Sequence, residues 1–135
     1  MKKIKPLNTL IKVHESLRDQ LISKKKIFEE KIYEKDIIIK NINDKLEKEY
    51  NFKTLCNLYN INSFAEHKKK LLKKTKDEKE NLKYTLDEIM DNLIYTFEEI
   101  KKYEKVIKKY KEEEKNYIKL KEQEFLDEIS SRSKN

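Results

Sequence analysis

The sequence predicts an all-α fold: two long helices in an antiparallel coiled-coil hairpin with a C-terminal single-helix overhang. Three observations predict it. The 135 residues contain no glycine and one proline, Pro6, where ordinary usage gives about nine glycines. Glycine supplies the positive-φ positions of tight turns and lets backbone approach phosphate closely. A fold with many connections therefore loses its turns, and P-loops, dinucleotide fingerprints and nucleophile elbows lose their frame. Charged residues make up 44% of the chain and hydrophobic ones 36%. That is too polar for an ordinary core and fits helices that each bury one stripe. Finally, apolar residues recur at steps of three and four on both sides of an asparagine-rich stretch, which is the coiled-coil period.

Helix 1 reads from 7 to 50. Pro6 stands just before it, where a first turn tolerates proline. Its stripe begins Leu10, His14, Leu17, Leu21 and resumes as Phe28, Ile32, Lys35, Ile39, Ile42, Leu46, Tyr50. Around Lys24–Lys26 the stripe changes face, like a stutter, which predicts local unwinding of the supercoil. Residues 51–62 hold four asparagines in place of the Lys/Glu background. Asparagine tolerates turn geometry better than other non-glycine residues, so the chain reverses there. Ser63 and Glu66 have the spacing of a capping box and open helix 2, which reads from 63 to 131. Its stripe is the more regular: Leu82, Leu86, Ile89, Leu93, Thr96, Ile100, Tyr103, Ile107, Tyr110, Glu114, Tyr117. After Tyr117 the seam weakens, because Lys121, Glu124 and Glu128 occupy it. At about 1.5 Å per residue, Leu7 stands opposite about residue 106, and roughly the last 25 residues overhang.

The formal charge is +7, from 31 Lys, two Arg and 26 acidic residues. Nucleic-acid readers favour the arginine fork, so the lysine bias favours a solvated surface. Residues 1–80 carry 21 basic against 13 acidic residues, and 81–135 carry 12 against 13. Cys56 is alone, which leaves no intrachain disulfide and fits a reducing compartment. The basic opening is followed by no apolar signal core, since Lys12, His14 and Glu15 interrupt it. The longest aliphatic run is Ile37–Ile39, far short of a membrane span. The expected location is cytoplasmic.

No constellation carries chemistry. His14 and His67 are the only histidines and lie far apart in the hairpin, so no metal site is expected. Glu112–Glu114 lack the buried setting that tunes a general acid. The expectation is no enzyme, no cofactor and no small-molecule substrate. Lys68, Lys69, Lys70, Lys73, Lys74 and Lys76 form a basic cluster. It reads as a solvated face rather than a nucleic-acid or lipid contact, because no aromatic is interleaved and arginine is absent. Tyr103, Tyr110 and Tyr117 stand seven residues apart. Tyr103 reads as seam, and Tyr117, on the overhang, as seam or stacking surface.

Two stretches carry a resemblance. One is Leu7-Asn8-Thr9-Leu10-Ile11-Lys12-Val13-His14. The other is Phe97-Glu98-Glu99-Ile100-Lys101-Lys102-Tyr103-Glu104, followed by Gln123 to Ile129 and Arg132. Together they resemble the flagellar type III export protein FliJ family, in its alphaproteobacterial form, over nearly the whole chain in layout. This chain has Lys and Ile where that family has Arg and Ala. The resemblance implies an ATPase stalk that enters the hexameric export ATPase and contacts the membrane export gate, with export chaperones as further partners. It implies a cytoplasmic protein, peripheral at the inner face of the cell membrane, in flagellar or other type III secretion and, through motility, chemotaxis. Leu46, Tyr50, Phe64 and Leu71, beside the turn, match the family's gate-contacting positions. Tyr110, Tyr117 and Phe125, on the overhang, offer apolar side chains to the ATPase without an intramolecular partner.

Two other classes fit the composition. One is a generic structural coiled coil, homo-oligomeric through the Leu82 to Tyr117 seam. The other is a lysine-rich binder of nucleic acid or a membrane surface.

Overall fold

The computed structural model describes the backbone of residues 3–56 and 60–133, and the side chains of 3–51 and 63–133. Among the described residues there are two helices and no strand: α1, Ile4–Cys56, and α2, Asn60–Ser133. They run for 53 and 74 residues. The fold is all-α, as the missing glycines require. No helix among the described residues is long and apolar enough to cross a membrane.

Both helices exceed the limits 7–50 and 63–131. α1 starts at Ile4, with Pro6 inside a first turn whose N–H groups need no intrahelical acceptor. At the other end, residues 51–56 and 60–62 are helical, so the expected connection narrows to the gap between Cys56 and Asn60. Asparagine costs a helix interior well under ~1 kcal/mol, too little to end a helix without glycine or proline. Residues 57–59, the centre of that connection, lie outside the described residues. Ser63 is the fourth residue of α2, so the Ser63–Glu66 pair is not a capping box.

Contacts divide the chain into two units. One joins Met1–Asp19 with Ile94–Asn135. Its core is Ile4, Ile11, Ile100 and Ile107, with Leu7, Tyr103 and Tyr110 packed against it. The Lys3 ammonium lies 5.5 Å from the Tyr110 ring centroid, and the His14 and Tyr103 rings lie 5.5 Å apart. As numbers rise on α1 they fall on α2, so the segments of this unit run antiparallel. The second unit is Gln20–Leu93. Leu21, Ile89 and Leu93 form its core, with Phe28 against them. Ion pairs Lys35–Glu78 and Asp36–Lys79 join the two helices further along; from Leu21 beside Ile89 and Leu93 to Lys35 beside Glu78 the α2 numbers fall, so this unit also runs antiparallel.

The sheltered positions of α1 recur in steps of three and four from Ile4 to Glu49: Ile4, Leu7, Ile11, His14, Arg18, Leu21, Lys25, Phe28, and on through Ile42 and Leu46. The period is unbroken, so the stutter at Lys24–Lys26 is absent. Leu10 and Leu17, expected on the stripe, are 41% and 42% exposed. The reason is that Ile11 and Arg18, one residue further on, hold the seam positions there, and Lys25 and Lys35 hold two later ones. The aliphatic stems of Arg18, Lys25 and Lys35 cover the seam while the charged ends reach water. On α2 the stripe runs as expected through Ile89, Leu93, Ile100 and Ile107, all buried, and Thr96 is the most buried residue at 1% exposure. Thr75, 4% exposed, donates its hydroxyl proton to the Leu71 carbonyl at 2.8 Å, so its burial leaves no donor unsatisfied.

Two outcomes follow for stability. Leu93→Ala and Ile100→Ala, each removing a buried seam side chain, are expected to cost about 2–4 kcal/mol in urea unfolding. Glu113→Ala, on an exposed face, is expected to lie within about 0.5 kcal/mol of the parent. Equal small losses at all three would contradict the seam.

Glu78 has its pKa lowered, first by the hydrogen bond from Lys35 and then by the charges of Lys35 and Lys74, against an opposing effect of partial desolvation. A carboxyl lowered on folding stabilises the fold above its unfolded pKa. That contribution fades as pH falls through the lowered folded value. Carboxyl NMR titration is expected to find Glu78 below the ordinary glutamate value and to find it moved upward in Lys35→Gln. An unchanged midpoint in that variant would remove Lys35 as the cause.

Candidate partner-binding surface

From Ile94 to Ser133, α2 contains no residue that breaks a helix, and it stays helical throughout. Its surroundings change along the way. Up to Tyr110, α1 covers the seam. Beyond Tyr110 only Glu114 is half-buried, and every residue from Lys115 to Ser133 is exposed.

That exposed stretch is not uniformly polar. Tyr117, Ile118, Leu120, Phe125, Leu126 and Ile129 are large, apolar and exposed. Ile118, Phe125 and Ile129 share one face, because separations of seven and eleven residues both fall within about 20° of whole helical turns. The same face carries the buried Ile107, eleven residues before Ile118. Thus the line Ile107, Ile118, Ile129 continues the covered seam into the exposed stretch. Two shallow apolar grooves follow it, one beside Ile107 and one beside Ile118, and they share Lys111 and Lys115 as walls.

Charge in the stretch is segregated. Lys115, Lys119 and Lys121 stand in the first half, and Glu122, Glu124, Asp127 and Glu128 in the second. Some of these charges are paired along the helix. Lys121 lies 3.6 Å from Glu124, and Arg132 lies 2.8 Å from Glu128. The Lys121 ammonium also stands 5.5 Å from the Tyr117 ring centroid.

Among the residues expected to meet the ATPase, Tyr117 and Phe125 are 60% and 62% exposed. Tyr110 differs from expectation. It is half-buried against the cluster of Ile4, Ile11, Ile100 and Ile107, because α1 starts at Ile4 and reaches further than a helix from residue 7. It is therefore not partnerless. Ile118, Leu126 and Ile129 were outside the expected set. An eleven-residue spacing reveals two of them, whereas a strict heptad drawn from Tyr110 leads through Tyr117 to Glu124.

In the unit Gln20–Leu93, Leu46 and Leu71 are half-buried, while Tyr50 and Phe64 are exposed. The Lys68 ammonium lies 5.2 Å from the Phe64 ring centroid. The four lie on either side of the break between α1 and α2. In the basic cluster, Lys69, Lys70, Lys73, Lys74 and Lys76 are exposed and Lys68 is half-buried.

One polar arrangement lies inside the first unit. The Tyr103 pKa is raised, chiefly because its hydroxyl is hydrogen-bonded to the Glu99 carboxylate, with desolvation acting in the same direction. His14 stacks on the same ring at a 32° tilt, and its Nδ1 is shielded from water without a hydrogen-bond partner among the described residues. The phenol therefore keeps its proton and donates it to the Glu99 carboxylate.

No protein-family model, no curated protein and no solved structure matches this chain.

Proposed function

We propose that the chain is a non-enzymatic stalk or adaptor of a flagellar-type protein export apparatus. In this reading α1 and α2 form an antiparallel coiled-coil hairpin, and the C-terminal stretch of α2 is a single-helix overhang. The observation that carries it is the change along α2: a seam covered by α1 up to Tyr110, then exposed helix bearing the apolar line Ile118, Phe125, Ile129. A stalk needs a thin helical tip with apolar side chains to enter a ring of ATPase subunits, and a braced base to hold that tip. The resemblance of the Leu7–His14 and Phe97–Glu104 stretches to the FliJ family supplies the choice of partner. Tyr50 and Phe64, exposed beside the helix break, are the residues proposed for the membrane export gate, with Leu46 and Leu71 shaping the surface behind them. The protein then works in the cytoplasm, peripheral at the inner face of the cell membrane, with no cofactor.

The test uses the hexameric export ATPase encoded in the same genome. Deleting residues 118–135 is expected to weaken ATPase binding at least about tenfold, since it removes the exposed aromatic and aliphatic anchors. Circular dichroism is expected to retain most of the helical signal. Tyr50→Ala with Phe64→Ala is expected to spare ATPase binding and to impair binding to the gate protein. Full-strength ATPase binding by the truncated chain would overturn the orientation, and no binding by the full chain would overturn the function.

A further inference from the structure

We propose that the exposed C-terminal stretch of α2 is also a self-recognition surface, which pairs antiparallel with the same stretch of a second copy of this chain. The inference does not rest on the ATPase reading. It rests on three properties of the stretch from Lys111 to Ser133.

The first is apolar. Ile118 and Phe125 lie on one helix face, and both are exposed. With two copies antiparallel about a two-fold axis between positions 121 and 122, Ile118 of each copy meets Phe125 of the second copy. Such a contact is isologous and closes on itself, so it stops at a dimer.

The second is electrostatic. In that register residues on the same flank of the two helices meet, so Lys121 lies nearest Glu124 of the second copy and Lys119 nearest its Glu122. The Lys115–Lys121 segment of each copy thus covers the Glu122–Glu128 segment of the other, while Glu112–Glu114 stand level with Ile129–Ser131 and meet no acidic residue. Parallel pairing sets Lys on Lys and Glu on Glu, which is unfavourable. Lys111 against Arg132 is the like-charge match, at the rim. The existing Lys121–Glu124 and Glu128–Arg132 pairs are exposed, so exchanging them for intermolecular pairs costs little.

The third is length. The two-fold sets Ser133 of the second copy opposite Tyr110. Lys3, just before α1, contacts Tyr110 in this chain. The second copy therefore occupies the apolar line from the place where α1 stops covering it, and it runs in the direction of α1. It extends the apolar line beyond Tyr110, where α1 no longer covers it.

The contact is small, since Ile118 and Phe125 of each copy form its centre. It belongs with weak, reversible interfaces. Sedimentation velocity of the full chain, without any partner, is expected to show a monomer–dimer equilibrium shifting toward dimer with concentration. Two charge-reversed chains give the decisive comparison: Lys115→Glu with Lys119→Glu and Lys121→Glu, and Glu122→Lys with Glu124→Lys and Glu128→Lys. Each alone is expected to dimerise at least about tenfold more weakly, and an equimolar mixture is expected to recover the dimer. Orientation is read by disulfide formation in a Cys56→Ser background. Ile118→Cys in one chain is expected to crosslink to Phe125→Cys in another, and 118 is not expected to crosslink to 118, which lies seven residues away along the axis and out of disulfide reach. A chain that stays monomeric at all concentrations, a mixture that fails to recover the dimer while both variants remain helical, or a dominant 118–118 crosslink would each overturn the proposal.

Discussion

The seam of α1 is the constraint on which both units depend. A chain without glycine makes long helices readily but gives them nothing to fold around except each other. Isolated helices in water gain little from propensity, and most of their stability comes from burying a face. Here each helix has a narrow face to bury, one residue in every three or four. Isoleucine and leucine take most of those places, but not all. Arg18, Lys25 and Lys35 fill three others with their stems, and Thr75 and Thr96 are buried on α2. The high charge of the composition and the narrowness of the seam are therefore one fact.

The apolar pattern made α2 legible between Leu82 and Tyr110, because there nearly every seam position is apolar and the seven-residue step is kept. α1 was harder. Leu10 and Leu17 are apolar and lie outside, while Arg18 and Lys25 are charged and lie on the seam. A reading that follows apolar residues must then jump from one face to another, and the jump looks like a stutter. Spacing alone, blind to residue type, gives the correct line from Ile4 to Glu49. The connection was misjudged for a related reason. Asparagine tolerates turns without enforcing them, so four of them marked the neighbourhood of the break and not its edges. The exposed line on α2 escaped because it steps by eleven residues, and a strict heptad drifts off it onto Glu124 and Glu128.

Charge has a different task from the seam. The Lys35–Glu78 and Asp36–Lys79 pairs sit where the seam itself turns polar, beside Lys35. Partly exposed pairs of this kind contribute little stability. What they add is discrimination among registers. A slip by one residue puts Lys35 beside Asp77 and leaves Glu78 beside Asp36, and a slip by a full heptad misplaces both pairs. In a two-helix seam that is nearly repetitive, such pairs are a physical means of telling one alignment from the next.

The C-terminal stretch of α2 inverts the relation between seam and charge. There the apolar line persists while its cover ends. The line cannot be there for folding of the covered part, since Ile107 already closes that cluster with Ile4. The flanking Lys and Glu keep it hydrated, and their segregation into a basic and an acidic half gives it a direction. Any occupant, another copy or a different protein, must then supply an apolar stripe and the opposite charge order. Two such occupants compete for the same side chains. Linkage requires the one to lower the apparent affinity of the other by the fraction of the face it holds. A weak self-contact would therefore leave the face available to a tighter partner, while keeping Phe125 and its neighbours from open exposure until that partner arrives.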